Sequence, residues 1–265
     1  MSHSEIYGHA QLYDLAFSFK DVVGDAEAVL AMAAAAGVDQ PSSFLELAAG
    51  PARDAMEFSR RGLRATAVDN SPGMIRFARD TAAQEGLDIT VVEADITDFS
   101  IDRSVDIAAI YMDSLGVILD NDGLLRHLDR VADALVAGGV YIIEHGHPRD
   151  VFKVGVSAGN DWEIERDGLL LHTRWGREED VFDPTTQIIE HTVSFTWEHL
   201  GERHEVVEIR PDRAITPNEL RALVLASGRF EIVAEYGALD PAIPFSNAKD
   251  SWRYVPVLRV PDGSE

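Results

Sequence analysis

The chain contains no cysteine, which excludes disulfides and any thiol chemistry and fits a reducing cytoplasm. It has no uninterrupted apolar run of about 18 residues, the length a membrane-crossing helix needs, so no membrane partner is expected. The longest candidate, residues 26–36, opens behind Asp25, contains Glu27, and reads as an alanine-rich helix. Residues 1–10 show no basic stretch ahead of an apolar core, so no signal peptide is expected. Positive charge is scarce: 23 Lys and Arg face 46 Asp and Glu, a net charge of −23. Such a surface repels phosphate backbones and argues against nucleic acid as a partner. The one basic cluster, Arg60, Arg61 and Arg64, falls at the end of a predicted helix, where cations complement the dipole.

What is present is the material of a globular α/β protein: 265 residues, 46% hydrophobic and 26% charged. From 42 to 144, short apolar runs alternate with helical patterns, the rhythm of a parallel sheet covered on both faces. Strands are predicted over 43–47, 65–68, 89–92, 105–111 and 140–144. The first helix presents Ala52, Ala55, Met56 and Ser59 on one face, with Gly62 placed to end it. Ser71 with Pro72 behind it marks the start of the second helix, which packs Met74, Phe77, Ala78 and Thr81. A third helix over 124–135 is expected to stop at Gly138-Gly139.

The texture changes after His147. Residues 162–165, 169–175, 187–197 and 206–210 read as antiparallel strands. In the third, His191, Val193, Phe195 and Trp197 alternate with polar neighbours, a period of two with one face buried. Thr216-Pro217-Asn218-Glu219 has the order of a capping box and opens a helix to Gly228. Strand-like runs at 230–234 and 254–260 complete the chain. The expected organisation is an N-terminal helical cap over 1–41, a main α/β domain over 42–147 and 212–265, and a β-rich insertion over 148–211.

Three sites lie just past the carboxyl ends of predicted strands, the edge at which open α/β sheets bind ligands. Glu46-Leu47-Ala48-Ala49-Gly50-Pro51-Ala52 is a small-residue turn whose backbone can come close to a ligand. Asp69, 19 residues beyond Gly50, can accept from both hydroxyls of a ribose. At Asp95-Ile96 a carboxylate can accept from an adenine amino group while the next amide donates to the ring. Together they suit an adenosyl ligand. The three-glycine fingerprint of nicotinamide-binding folds is absent.

These stretches, with Ala67-Val68-Asp69-Asn70-Ser71-Pro72-Gly73-Met74 and Glu93-Ala94-Asp95-Ile96, resemble motifs I to III of the class I S-adenosylmethionine-dependent methyltransferases. Tyr111-Met112-Asp113-Ser114-Leu115-Gly116 and the turn at 135–139 resemble later segments of that family, so the likeness spans about 43–145. It implies a doubly wound, Rossmann-like sheet of seven mostly parallel strands whose last strand is antiparallel. It also implies a cofactor site formed by Glu46, Ala48, Gly50, Asp69, Asn70, Met74, Asp95, Ile96 and the backbone near Tyr111, with S-adenosylhomocysteine as product. The chain departs from the family at Ala48 and Ala52, where glycines are common; alanine suits those places only if the backbone angle φ is negative.

Methyl transfer from a sulfonium mainly requires a nucleophile held close and in line. A hydroxyl or ammonium acceptor also needs a base, and His145 and His147, at the end of the fifth strand, are candidates. Equally, they can be loop residues bonded to backbone. A metal is not expected, since no third ligand accompanies this pair. Tyr13 either contacts the cofactor or packs its ring on the sheet. Trp162, Trp175, Phe195 and Trp197 either face an apolar substrate or form the insertion's own core or a homodimer contact. The insertion is similar to those of methyltransferases for amines and sugar-like metabolites, including glycine N-methyltransferase relatives, which implies a small-molecule acceptor and N- or O-methylation. The alternative is a cofactor-binding module without transfer activity that works through partner contacts.

Overall fold

The computed structural model describes residues 4–151, 160–199 and 201–263; the insertion expected over 148–211 therefore falls partly outside the described residues. The chain opens with three helices, α1 (Glu5–Gly8), α2 (Ala10–Ala16) and α3 (Val22–Ala35). The α/β repeat comes next: β1 (Ser43–Leu47), α4 (Arg53–Arg60), β2 (Arg64–Asp69), α5 (Pro72–Glu85), β3 (Ile89–Glu93), β4 (Val105–Ile110), α6 (Asn121–Ala134) and β5 (Leu135–Ile143). Two short pieces, β6 (His145–Gly146) and α7 (Pro148–Val151), lead to the insertion strands β7 (Asn160–Arg166), β8 (Leu169–Trp175), β9 (Phe182–Asp183), β10 (Ile188–His199) and β11 (Glu202–Arg213). The main domain resumes with α8 (Pro217–Ser227), β12 (Glu231–Tyr236) and β13 (Arg253–Arg259).

The main sheet has the order β12-β13-β5-β4-β1-β2-β3, with β6 added beside β13. The strands from β5 to β3 run parallel, and β13 is antiparallel to both neighbours. Alternate residues of each central strand serve different layers, as the pleat requires. Leu45, Leu47, Ala108 and Ile110 pack with α6 and α8, while Phe44, Ala65, Ala67 and Ile107 pack with α3, α4 and α5. This buries β1 along its whole length and explains its unbroken apolar reading. Among the described residues, no helix is long and apolar enough to cross a membrane.

The expected helix signals are in place. Ser71 caps α5 with Pro72 behind it, and Gly86 ends that helix in the left-handed region. Thr216 and Glu219 form the reciprocal capping box of α8. One boundary differs. The helix stops at Ala134, not at the glycine pair, because Leu135 already has extended angles and pairs with Val105. Gly138 and Gly139 thus lie within β5, whose register against β4 shifts there.

The insertion forms a second, antiparallel sheet of order β11-β10-β8-β7, with β9 beside β10. Its inner face packs Leu171, Val193, Phe195 and Val206 on Ile6, Leu15 and Ala16 of α1 and α2. The Trp162 indole donates to the Ala16 carbonyl at 2.8 Å, and Phe17 meets the rings of Trp162 and Trp175, each at 5.5 Å. The insertion aromatics therefore join the N-terminal helices to the second sheet. At the far end of β11, the backbone at Arg213 abuts Gly116, just after β4: a Cβ on Gly116 would lie 2.9 Å from the Arg213 carbonyl.

Candidate functional site

The turn after β1 carries the site. Its chain passes through the left-handed region at Ala48 (φ 49°), Gly50 (φ 52°) and Ala52 (φ 59°). Both alanines thus occupy angles that favour glycine, contrary to the condition under which alanine would be harmless. The turn is fixed from outside. Ala49 N–H donates to the Val68 carbonyl at 3.0 Å, and Gly50 N–H donates to Asp69 Oδ2 at 2.7 Å. The other oxygen of Asp69 accepts from Ser71 N–H at 2.8 Å, so one carboxylate ties the first turn to the start of α5. Burial pushes this carboxyl up, opposed by the backbone donors around it.

Tyr13 stands against this junction; a Cβ on Gly50 would lie 3.8 Å from its ring. Burial, Asp69 and Asp212 push its phenol up. Asn70 is exposed, and Met74 is buried in the first turn of α5. One strand further on, Ala94 N–H donates to the Asp69 carbonyl at 2.9 Å, which sets Asp95 and Ile96 beside the same sheet edge. Asp95 Oδ1 is engaged by Thr97, from N–H at 2.8 Å and from the hydroxyl at 2.6 Å. The Ile96 carbonyl accepts from His127 Nδ1 at 2.8 Å, and Tyr141 bonds His127 Nε2. Burial depresses the His127 ring to about 4, so it acts as a neutral brace for that loop.

Glu46 is buried within β1 and accepts from Ala55 N–H at 2.7 Å, fastening the strand to α4. Burial and the neighbouring Asp54 push its carboxyl well up, with Lys20 opposing. Lys20 bonds Asp54, reaches Asp25 at 3.4 Å, and lies 3.9 Å above the Tyr111 ring. Burial works to lower the lysine, but the acids around it prevail and raise it. The buried hydroxyl of Tyr111 has no hydrogen-bond partner among the described residues, an unsatisfied donor at the end of β4. Sequence reading missed Lys20 and Asp54; no local pattern links them to Glu46.

The two histidines proposed as bases are engaged by the fold. His145 Nε2 accepts from Ile215 N–H at 3.3 Å, and its Nδ1 lies 3.3 Å from Asp113 Oδ1. Burial lowers this imidazole. Asp113 is also bonded by Arg253 at 2.5 Å and by Gly146 N–H, while Arg253 Nε lies 3.0 Å from Glu144. His147 Nε2 donates to the Ser246 carbonyl at 3.0 Å and its Nδ1 accepts from Arg149 N–H at 3.2 Å. It lines a cavity of about 440 Å³ with Thr216, Asn218, Arg221 and Phe245, residues distinct from those around Gly50 and Tyr13.

Three groups that the sequence did not single out as functional sit together on the insertion. His191, Arg210 and Asp212 share the inner face of β10 and β11 with Val193 and Val206, as the pairing register requires. The signal for them was the alternation already visible in β10, had it been extended across the hairpin. Asp212 acts electrostatically on Tyr13, Asp113 and His145, and burial pushes its carboxyl up against the pull of Arg210 and His191.

Residues 44–139 match the family model of a methyltransferase domain. Solved structures share the fold over almost the whole chain. An S-adenosylmethionine-dependent methyltransferase from Clostridium acetobutylicum is 21% identical with a TM-score of 0.76, over 95% of this chain and 97% of that one. DesVI from Streptomyces venezuelae is 20% identical with a TM-score of 0.78, over 96% and 98%. A sugar N-methyltransferase from Streptoalloteichus sp is 18% identical with a TM-score of 0.75, over 94% and 92%. At these identities the likeness is one of fold, insertion included. No curated protein matches the chain in sequence.

Proposed function

We infer that this chain, with its methyltransferase domain at 44–139, is an S-adenosylmethionine-dependent methyltransferase acting on the amine of a small-molecule acceptor. The observation that carries the reading is the Asp69 carboxylate, bonded at once to Gly50 of the first turn and to the start of α5, beneath Tyr13. Such a junction suits an adenosyl group: a carboxylate has further acceptor capacity for ribose hydroxyls, and Gly50 leaves the turn without a side chain. Asp95 and Ile96 stand one strand away for the base, and Tyr111 offers an unsatisfied hydroxyl beside Lys20. When bound, S-adenosylmethionine supplies a methyl group already activated on its sulfonium.

The protein's task is then to position the acceptor and receive a proton. His147 bonds through both ring nitrogens and His145 through Nε2, its Nδ1 standing 3.3 Å from Asp113, and we take Asp212 as the proton acceptor. Its carboxyl, raised by burial, can take the proton that an ammonium loses before its lone pair attacks. His145 becomes a positioning residue that holds Asp113 against the end of β11. The sugar N-methyltransferase of like fold supports a nitrogen acceptor, and the charge of −23 supports a small molecule over nucleic acid.

Calorimetry tests the reading. Wild-type protein is expected to bind S-adenosylmethionine at micromolar Kd, and Asp69→Ala to weaken it at least tenfold. Absence of binding by folded wild type would sink the assignment. In an amine-acceptor screen read by S-adenosylhomocysteine release, Asp212→Asn is expected to lower kcat more than tenfold and His147→Gln less than threefold.

A further inference from the structure

Arg210 is 9% exposed, and its guanidinium lies 4.3 Å from the centre of the Tyr7 ring and 5.7 Å from that of Trp175. Among the described residues its buried Nη1 has no hydrogen-bond partner, and no carboxylate comes within ion-pair distance of the guanidinium. Buried Arg213 and half-buried Arg253 also have orphaned nitrogens, but each is held by a carboxylate: Arg213 bonds Glu219 and Asn121, and Arg253 bonds Asp113. Asp212, two residues along the same strand face, acts on Arg210 only electrostatically, opposing the effect of burial. Directly across the ladder from Arg210 is His191, whose buried Nδ1 makes no hydrogen bond among the described residues and lies 3.9 Å from Asp180 Oδ2.

A buried guanidinium nitrogen without a partner is costly unless something pairs with it. Aromatic faces steady a guanidinium but do not satisfy its N–H groups, which are arranged to meet two oxygens of one group. The place is adjacent to the chemistry. Tyr7 meets Tyr13 edge-on at 5.4 Å, and Tyr13 stands against Gly50.

We propose that Arg210, with His191 beside it, is an oxyanion subsite for the acceptor, which is therefore an amine that also carries a carboxylate or phosphate. This rests on the methyltransferase reading for the identity of the ligand as acceptor. The division of labour follows from charge: the acid group meets Arg210, and the ammonium end meets Asp212.

The test is a titration of the whole protein with inorganic phosphate and, separately, acetate, with and without saturating S-adenosylhomocysteine, followed by NMR. At least one anion is expected to bind the wild type saturably. Arg210→Gln is expected to weaken it at least tenfold, and His191→Asn and Arg210→Lys three- to tenfold, since lysine keeps the charge but not the guanidinium fork. Arg229→Gln, a surface arginine paired with Asp129 and Asp133, is expected to leave it unchanged. Preference for phosphate assigns a phosphorylated acceptor, and preference for acetate an amino-acid-like one. Failure of both anions to bind, or equal binding by Arg210→Gln and His191→Asn, overturns the subsite. Failure of S-adenosylhomocysteine to bind strikes the methyltransferase reading instead, and the cofactor-free titration still decides the subsite.

Discussion

An alanine in left-handed backbone pays about 1 kcal/mol relative to glycine, because its Cβ crowds the following carbonyl. The turn after β1 contains two, and their surroundings separate them. Ala48 is partly exposed, so little packing opposes its replacement. Ala52 is fully buried, and loss of its methyl costs about 0.8 kcal/mol, close to the strain relieved. Ala48→Gly is therefore expected to stabilise the protein by about 0.5–1 kcal/mol in urea unfolding, and Ala52→Gly to be near neutral. Equal gains from both would show that burial of the Ala52 methyl contributes nothing. Selection of alanine at both places sets the turn's angles through Asp69 and the Ala49–Val68 bond rather than through glycine's freedom.

Among the elements, α1 is the one whose position depends most on a single hydrogen atom. A Cβ on Gly73 would fall 2.6 Å from the Tyr7 carbonyl, a backbone atom that cannot swing aside. Gly73→Ala is expected to displace α1 from α5 and carry Tyr7 away from Arg210. Calorimetry should then record at least tenfold weaker cofactor binding with only a small drop in melting temperature; unchanged affinity would mean that α1 plays no part in the site. The same element marks the limit of what sequence revealed. Strand, turn and helix over 43–144 were legible because apolar spacing and caps such as Ser71-Pro72 act within a few residues. The capping box of α8 was legible for the same reason. The fates of His145 and His147 were not, since their nitrogens are engaged by Ile215 and Ser246, 70 and 99 residues away. Nor could spacing show that Tyr7 would shelter Arg210, or that Lys20 would enter a nest of Asp25, Glu46 and Asp54.

For the whole molecule, 46 acidic against 23 basic residues leave a large repulsive surplus, while most of the arginines already stand in ion pairs. Salt screens the surplus more than it harms the close pairs, because exposed charges at long range lose most. Raising KCl from about 0.02 to about 0.5 M is expected to stabilise the fold by about 1 kcal/mol, some 2–4 °C in Tm for a chain of this size. A lower Tm at high salt would show that the pairs, not the surplus, govern. The order of the main sheet has one last consequence. β13 sits between β5 and β12, so the sheet has a gap in its middle until residues 253–259 are available to fill it. During synthesis the ribosome must release Arg253–Arg259 before β12 can dock, and the nascent chain meanwhile presents the open flank of β5, the stage at which chaperones would find it.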